Sequence, residues 1–415
     1  MTYEETIEYL YNTAPLFQNI GAGAYKEGLS NTLALDEHFG HPHRAYKTIH
    51  VGGTNGKGSV SHTLAAILQK AGHRVGLYTS PHLTDFRERI RINGAMIPKE
   101  RVVRFVEEEK DFFEPLHPSF FELTTALAFK YFEEEHVDWA VIEVGLGGRL
   151  DCTNIITPEL AVITNISMDH VQFLGNTTTK IASEKAGIMK HGVPVVIGEA
   201  EDINVREVFI QRSLKVKCPI YFAEEEYYPY VEGELHGTCQ IKNQQTIRTA
   251  ADVLKAAPED VEYALQHVVE MTGLRGRWQQ LCDAPLTVCD TGHNVGAWQY
   301  LGRQIKTLAQ DRQKSYNKPI TTHMIVGMVS DKDIRTVLSL MPADAKYYFT
   351  CAGVKRAMPA EDFAALAREA GLKGTTYGSV HEAFEAASNA AKPEDIIFVG
   401  GSTFVVADFL KKEEN

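Results

Sequence analysis

The sequence predicts a two-domain α/β protein, each domain built on a mostly parallel sheet. Short β-branched or apolar runs alternate with helical patterns along most of the chain, as where Thr48, Ile49 and Val51 are followed by Val60, Leu64, Ile67 and Leu68. Several of those runs end in glycines, hydroxyls or acids, at the strand ends where open α/β sheets receive ligands. At 415 residues the chain also exceeds one ordinary core. The expected division is a larger domain over residues 1–283 and a smaller one over 284–415.

Composition narrows the class. Hydrophobic content of 44% and charged content of 23% are those of a soluble globular enzyme. The net charge of -12, from 42 basic and 54 acidic residues, argues against nucleic acid or a membrane surface as a general partner. The six cysteines (152, 218, 239, 282, 289, 351) form no C-x-x-C pair, so a reduced chain without a cysteine-based metal site is expected. Residues 1–10 carry Glu4, Glu5 and Glu8 on an amphipathic pattern and lack the basic start and apolar stretch of a secretory signal. No apolar run approaches the length of a bilayer span, and a cytoplasmic location is expected.

In chain order, residues 3–12 read as a helix, and the loop at 19–29, with Gly21, Gly23, Lys26 and Gly28, suits either a ligand cover or a plain connection. A helix near 30–39 leads to Ile49-His50-Val51-Gly52-Gly53-Thr54-Asn55-Gly56-Lys57-Gly58-Ser59. A strand, four glycines, one lysine and a helix start describe a phosphate cradle: glycines let amides approach phosphate oxygens, and the lysine and helix N-terminus attract the anion. The spacing is unusual. Three residues rather than four separate Gly52 from Gly56-Lys57, and Gly58 intervenes before Ser59.

The next strand, Arg74–Tyr78, ends in Thr79-Ser80-Pro81-His82, where Ser80 read alone is a turn residue as readily as a metal ligand. Arg87, Arg89 and Arg91 then suit an anionic substrate or a solvated strand edge. Helices are expected over 99–113 and 121–135, with Phe120, Leu123, Leu127, Phe129 and Phe132 in the core. Strand 139–144 carries Glu143 within an apolar run, and an unpaired carboxylate there costs several kcal/mol unless it meets a metal or a salt-bridge partner. Strand 160–166 leads to Asp169-His170 in the corresponding place. Lys185 sits among small and apolar residues, which fits an altered pKa or a modification as well as a helix surface. After strand 193–198, residues 199–240 read as irregular and acidic; helices follow from 243 and over 258–270, then the basic turn Arg275-Gly276-Arg277.

A second α/β series begins at Pro285. Its strands are expected over 286–290, 323–328, 346–351 and 395–399, with helices near 295–309, 360–370 and 380–391. Asp290-Thr291-Gly292-His293-Asn294 again puts polar groups at a strand's carboxyl end, and two such domains imply an active site in the cleft between them.

These motifs, in this order, resemble the folylpolyglutamate synthase/dihydrofolate synthase family of the Mur ligase superfamily. The match includes the glycine loop with its unusual spacing, Tyr78-Thr79-Ser80-Pro81-His82-Leu83, Phe86 with Glu88-Arg89-Ile90, and Glu143–Asp151 with Thr153-Asn154. It continues through Asp169-His170, Ser183–Ile188, Asp290 with His293-Asn294, Asp331-Lys332-Asp333 and Gly400-Gly401-Ser402. The resemblance implies an N-terminal P-loop ATPase-like domain and a smaller Rossmann-like C-terminal domain. It also implies ATP-dependent addition of L-glutamate to tetrahydrofolate, and to dihydropteroate, through an acyl phosphate.

By the same resemblance, Thr54, Asn55, Gly56, Lys57, Gly58, Ser59, Asn243, Arg277 and Asp290 bind ATP, and Ser80, Glu143 and His170 bind Mg²⁺. Mn²⁺ is the implied substitute, and a second ion is implied beside Lys185 in carbamylated form. Lys57, carbamylated Lys185 and His293 form the implied catalytic set; Glu122, Leu123, Thr124, Thr125, Leu150, Asp151 and Cys152 form the folate pocket. A monomer is implied. Cys152, Val295 and Thr291-Gly292 depart from the family's usual alanine, proline and Gly-Ala, beside the charged positions rather than at them. A cell-wall Mur ligase is disfavoured because no separate domain precedes the loop. A regulatory P-loop NTPase leaves Glu143, His170 and Lys185 without a role.

Overall fold

The computed structural model describes residues 1–13 and 28–413, so the loop expected at 19–29 lies outside the described residues except for Gly28 and Leu29. The chain divides into two compact units: Met1–Glu234 with Gln240–Leu274, and Leu235–Cys239 with Arg275–Asn415.

The first unit opens with α1 (Tyr3–Thr13), α2 (Ser30–His38), β1 (Lys47–Gly52), α3 (Lys57–Lys70) and β2 (Val75–Tyr78). There follow β3 (Ile90–Ile92), β4 (Ala95–Met96), α4 (Lys99–Phe113), α5 (Phe120–Glu134), β5 (Trp139–Glu143) and β6 (Leu160–Ile163). It continues with α6 (Val171–Leu174), α7 (Thr178–Lys185), β7 (Val195–Ile197), α8 (Ile203–Val216), β8 (Ile220–Phe222), α9 (Gln240–Leu254) and α10 (Pro258–Thr272). Its eight strands run β4-β3-β2-β5-β1-β6-β7-β8, parallel except at β3 and β4. β1 lies between β5 and β6, with Val51 opposite Glu143 on one side and Val162 on the other.

Both faces of this sheet are covered, which explains why its strands read as continuous apolar runs. Alternate residues serve opposite cores. Val141 joins Val60, Leu64, Ile67 and Leu265 on the α3/α10 face, while Ala140 and Ile142 join Val106, Phe129 and Phe132 on the α4/α5 face. α5 starts where it does because Ser119 and Glu122 form a reciprocal capping box. α3 is tied to α10 by His62 Nδ1 and Thr272 Oγ1, 2.8 Å apart.

Two expectations for this unit need correction. The stretch 199–240, read as irregular, contains α8 and β8; Asp202 caps α8 by accepting from Asn204 N, and Val205 and Phe209 bury one face of it. Of the two readings of the arginine run, the solvated edge fails for Arg89 and Arg91, while Arg87 stays partly exposed and pairs with Asp85. Arg89 and Arg91 are buried, with Arg89 Nε donating to His82 Nδ1 at 2.8 Å and Arg91 Nη1 to the Gly94 carbonyl at 2.9 Å.

The second unit contains β9 (Gln279–Asp283), β10 (Leu286–Asp290), α11 (Val295–Tyr316), β11 (Thr322–Val326), α12 (Ile334–Leu340) and β12 (Lys346–Phe349). It ends with α13 (Ala360–Glu369), β13 (Gly374–Thr376), α14 (Val380–Ala390), β14 (Ile396–Gly400) and α15 (Thr403–Glu413). The sheet order is β13-β12-β11-β14-β10-β9, parallel except for β9 against β10. That antiparallel strand places the division at Leu274/Arg275 rather than at 283/284, because β9 hydrogen-bonds to the second sheet.

Phe132 is fully buried against Gly76 of β2 and Tyr46. Phe132→Ala is expected to destabilise the first unit by about 3–5 kcal/mol, read as a lowered urea midpoint.

Candidate active site

The phosphate loop leaves β1 at the sheet's carboxyl edge and is pinned by the segment after β6. Thr54 N donates to the Asn165 carbonyl at 2.9 Å, Asn55 N to Asn165 Oδ1 at 3.0 Å, and Asn55 Nδ2 to Ser167 Oγ at 3.2 Å. Thr164 Oγ1 donates to the Asn55 carbonyl. The positive φ of Gly53 (136°) and its contact with Thr164 leave no room there for a side chain.

Gly56 is the N-cap of α3 in left-handed conformation (φ 85°) and supplies no side chain to the first-turn N–H groups. No acidic residue stands in that turn. These are the conditions for anion binding at a helix start. Asn243 on α9 packs directly on Gly56, and its Nδ2 donates to Gln240 Oε1 at 2.8 Å. Gln240 Nε2 in turn donates to the buried Ser59 hydroxyl at 3.3 Å, so the helix expected to contact nucleotide does border the loop. Thr164, Asn165 and Ser167 carry no expected role and are signalled only by the polar end of β6; Gln240, at the start of α9, has no signal in the sequence.

Two lysines converge on one carbonyl. Lys57 Nζ donates to the Gly53 and Thr54 carbonyls at 3.1 and 3.0 Å, and Lys185 Nζ, from the end of α7, donates to Gly53 O at 2.7 Å. Lys185 is buried, not on a helix surface. Burial and the neighbouring Lys57 charge push its pKa down to about 7, against the pull of Asp169 and Asp151. A substantial share of neutral amine therefore exists near neutral pH.

The remaining charged groups arrive at the same edge. Ser80 follows β2, Glu143 ends β5, the loop follows β1 and His170 follows β6, so four adjacent strands deliver them. Glu143 is buried and its Oε2 accepts from Ser80 N at 3.0 Å. A buried carboxylate and a serine hydroxyl are oxygen donors of the kind a hard divalent ion takes, and the backbone bond brings the two residues side by side. His170 lies with its Nε2 3.9 Å from Asp169 Oδ2. Among the described residues no three His, Cys, Asp or Glu side chains form a ready metal cage.

The expected folate-side residues separate into two groups. Glu122 is engaged in the α5 cap, accepting from Ser119 N at 2.6 Å, and Leu123 is in the core. Thr124 and Thr125 hydroxyls contact the buried Tyr78 OH at 3.0 and 3.1 Å. Asp151 faces its own loop: Oδ1 accepts from Thr153 N at 3.0 Å and from Thr153 Oγ1, and Oδ2 accepts from Leu146 N at 2.8 Å. Burial raises the Asp151 and Cys152 pKa values. Leu150, next to Asp151, is half-buried.

In the second unit Arg277, Asp290 and His293 are neighbours. Asp290 ends β10 opposite Gly400 of β14, and its carboxylate accepts from Trp278 N and Gly292 N, each at 2.7 Å. Burial raises its pKa, with Arg277 opposing the rise. Arg277 donates to Thr291 Oγ1, and His293 Nδ1 lies 3.1 Å from the Thr291 carbonyl.

A phosphate-loop unit followed by a separate parallel-sheet unit with polar strand ends is the arrangement of the Mur-type amide ligases. Residues 51–228 match the Mur ligase middle domain, and residues 276–403 match the Mur ligase glutamate ligase domain. The dihydrofolate synthase/folylpolyglutamate synthase of Escherichia coli K12 is 31% identical over 375 residues, covering 87% of this chain and 85% of that protein. The chain belongs to the dihydrofolate synthase/folylpolyglutamate synthase family, ATP-dependent ligases of glutamate. It spans half the length of a probable bifunctional folylpolyglutamate synthase/dihydropteroate synthase of Haloferax volcanii, at 30% identity over 98% of this chain. The E. coli enzyme in complex with DHPP and ADP superposes with TM-score 0.85 and 27% identity, covering 100% of this chain and 98% of that one. A bifunctional folylpolyglutamate synthase/dihydrofolate synthase with Mn, AMPPNP and L-glutamate bound gives the same TM-score, identity and coverage. Among the described residues no helix is long and apolar enough to cross a membrane.

Gly56→Ala, which forces a side chain into Asn243 at positive φ, is expected to weaken ATP binding at least about tenfold by calorimetric titration. Lys185 gives a pH signature. Its folded pKa lies near 7 against an ordinary 10.5, so between those values the unfolded chain holds the extra proton and stability from this group rises with pH. In carbonate-free buffer, Lys185→Met is expected to flatten that part of the stability curve, measured by urea unfolding.

Proposed function

We propose that this chain joins the amino group of L-glutamate to the carboxylate of a reduced folate, tetrahydrofolate or its glutamylated forms, and also to dihydropteroate, cleaving ATP to ADP and phosphate. The observation that carries the reading is the convergence of Lys57 and Lys185 on the Gly53 carbonyl beside an uncapped helix start. The similar proteins bound to DHPP, ADP, AMPPNP and L-glutamate support the same substrates here.

In this reading the loop amides of Gly56, Lys57, Gly58 and Ser59 and the Lys57 ammonium hold the β- and γ-phosphates, with Thr54, Asn55 and Asn243 shaping the cradle. The substrate carboxylate oxygen attacks the γ-phosphorus and ADP leaves. The glutamate nitrogen then attacks the acyl carbon, phosphate leaves, and the amine loses a proton; His293 is the group assigned to this second step. Arg277 and Asp290 bind nucleotide. Ser80, Glu143 and His170 are the residues that would hold Mg²⁺, or Mn²⁺ in its place, and bound metal supplies charge neutralisation at the phosphates. The neutral amine of Lys185 attacks CO₂ and releases a proton, and the resulting carbamate becomes an anion suited to a second ion. Glu122–Thr125 and Leu150–Cys152 form the pterin side. The chain acts as a cytoplasmic monomer.

The test offers purified protein ATP, Mg²⁺ and L-glutamate with dihydropteroate or tetrahydrofolate separately, and follows phosphate release together with product mass. Release should require a pterin and yield one added glutamate per phosphate; pterin-independent release sinks the reading in favour of an NTPase. Lys185→Ala should lose at least about a hundredfold in turnover while ATP affinity stays within a few-fold. A ¹³C-bicarbonate carbamate resonance should be present in the parent protein and absent from that variant.

A further inference from the structure

His50 lies on the phosphate-loop strand, two residues before Gly52, and is fully buried. Its Nε2 is 2.8 Å from Thr153 Oγ1, and that hydroxyl is 2.5 Å from Asp151 Oδ1. The order of donors is fixed by elementary valence. Asp151 accepts, so the Thr153 hydroxyl gives its hydrogen to the carboxylate and must itself accept from His50. His50 is therefore the Nε2–H tautomer, and its buried Nδ1 has no hydrogen-bond partner among the described residues. Burial, with the Lys190 charge as a lesser cause, lowers its pKa to about 3, so the ring stays neutral across the working pH range.

The far end of this chain is the glycine loop that follows Glu143. Asp151 Oδ2 takes the Leu146 N–H, and Gly145 N also favours the ionised carboxylate. Every strong acceptor position of Asp151 is directed at its own loop. The family motif Thr153-Asn154, which had no assigned chemistry, thus has a physical use, and Asn154 Nδ2 extends it by donating to the Arg149 and Gly187 carbonyls at 3.0 and 3.2 Å.

We propose that His50 and Thr153 are positioning residues that act as one unit, His50 Nε2–H to Thr153 Oγ1–H to Asp151, and fix the Gly145–Asp151 loop relative to the phosphate-loop strand so that the second substrate meets a preset wall. Neither residue exchanges a proton with substrate. The proposal rests on the reading that Leu150–Cys152 border the pterin. His50 stands two residues before Gly52, at the root of the glycine loop, yet its hydrogen bond runs to Thr153 and through it to Asp151. Its loss should therefore affect pterin use selectively.

Thr153→Val removes the hydroxyl with little change of shape, Thr153→Ser keeps it, and His50→Leu removes the donor. Steady-state kinetics should show the pterin KM raised about tenfold in Thr153→Val, with ATP KM within twofold, and near-parental values restored in Thr153→Ser. The His50→Leu/Thr153→Val pair should be no worse than the more affected single variant. Equal increases in both KM values, additive losses, or an unchanged pterin KM in Thr153→Val would overturn the proposal. Nitrogen-15 NMR of the ligand-free parent protein provides an arm independent of turnover. His50 should be the Nε2–H tautomer and remain neutral down to pH 5; an Nδ1–H form or protonation above pH 5 removes the relay. A parent enzyme that turned over no pterin would defeat the functional reading, while the tautomer would still decide the hydrogen-bond chain.

Discussion

The first unit depends on the crowding of two ammonium groups around the Gly53 carbonyl. A lone carbonyl is a modest acceptor, and two cations on it repel one another in a poorly solvated site. The protein relieves this by lowering the Lys185 pKa, by placing Asp169 and Asp151 within electrostatic reach, and by leaving the start of α3 open to a negative charge. An anion at that position resolves the repulsion at once. The site's electrostatics are thus those of a receptor whose most favourable state includes its ligand.

Holding the cations in place takes rigid neighbours, and these come from the strand order. Because β1 sits between β5 and β6, its exit loop has Glu143 on one side and Thr164, Asn165 and Ser167 on the other. The close contacts at Gly53 and Gly56 are the geometric result: the loop approaches β6 and α9 as nearly as backbone allows.

Alternation of strand and helix, the loop, the carboxyl-end placement of Ser80, Glu143 and Asp290, and helices such as α4, α5, α10 and α14 were legible in the sequence, because each leaves a local period or a local composition, whereas α6, α8, α12 and α15 were not. What stayed hidden was long-range or double-purpose. The capping bond that Glu122 accepts from Ser119 N is not visible from its place in the sequence, and Arg89 fits a solvent-facing reading until it is found on His82. α8 was lost in an acidic surrounding, and its fully buried positions are few: Val205, Phe209 and the polar Ser213. The His50–Thr153–Asp151 connection joins the interior of β1 to the segment well beyond β5, and no spacing rule reports it. The place where the chain passes between units depended on β9, a strand with only partly buried or exposed side chains and so no clear apolar signal.

The packing of α3 against α10 has a consequence for biosynthesis. The helix that opens the phosphate loop completes its burial with Val261, Ala264 and Leu265, and His62 finds its partner in Thr272, near the last residue of the unit. A ribosome must therefore have released almost two-thirds of the polypeptide before the loop's own helix is fully covered. The loop itself meets its partners Thr164, Asn165 and Ser167 about a hundred residues earlier, so its own bonds and the cover of the helix that follows it come from segments made at different times.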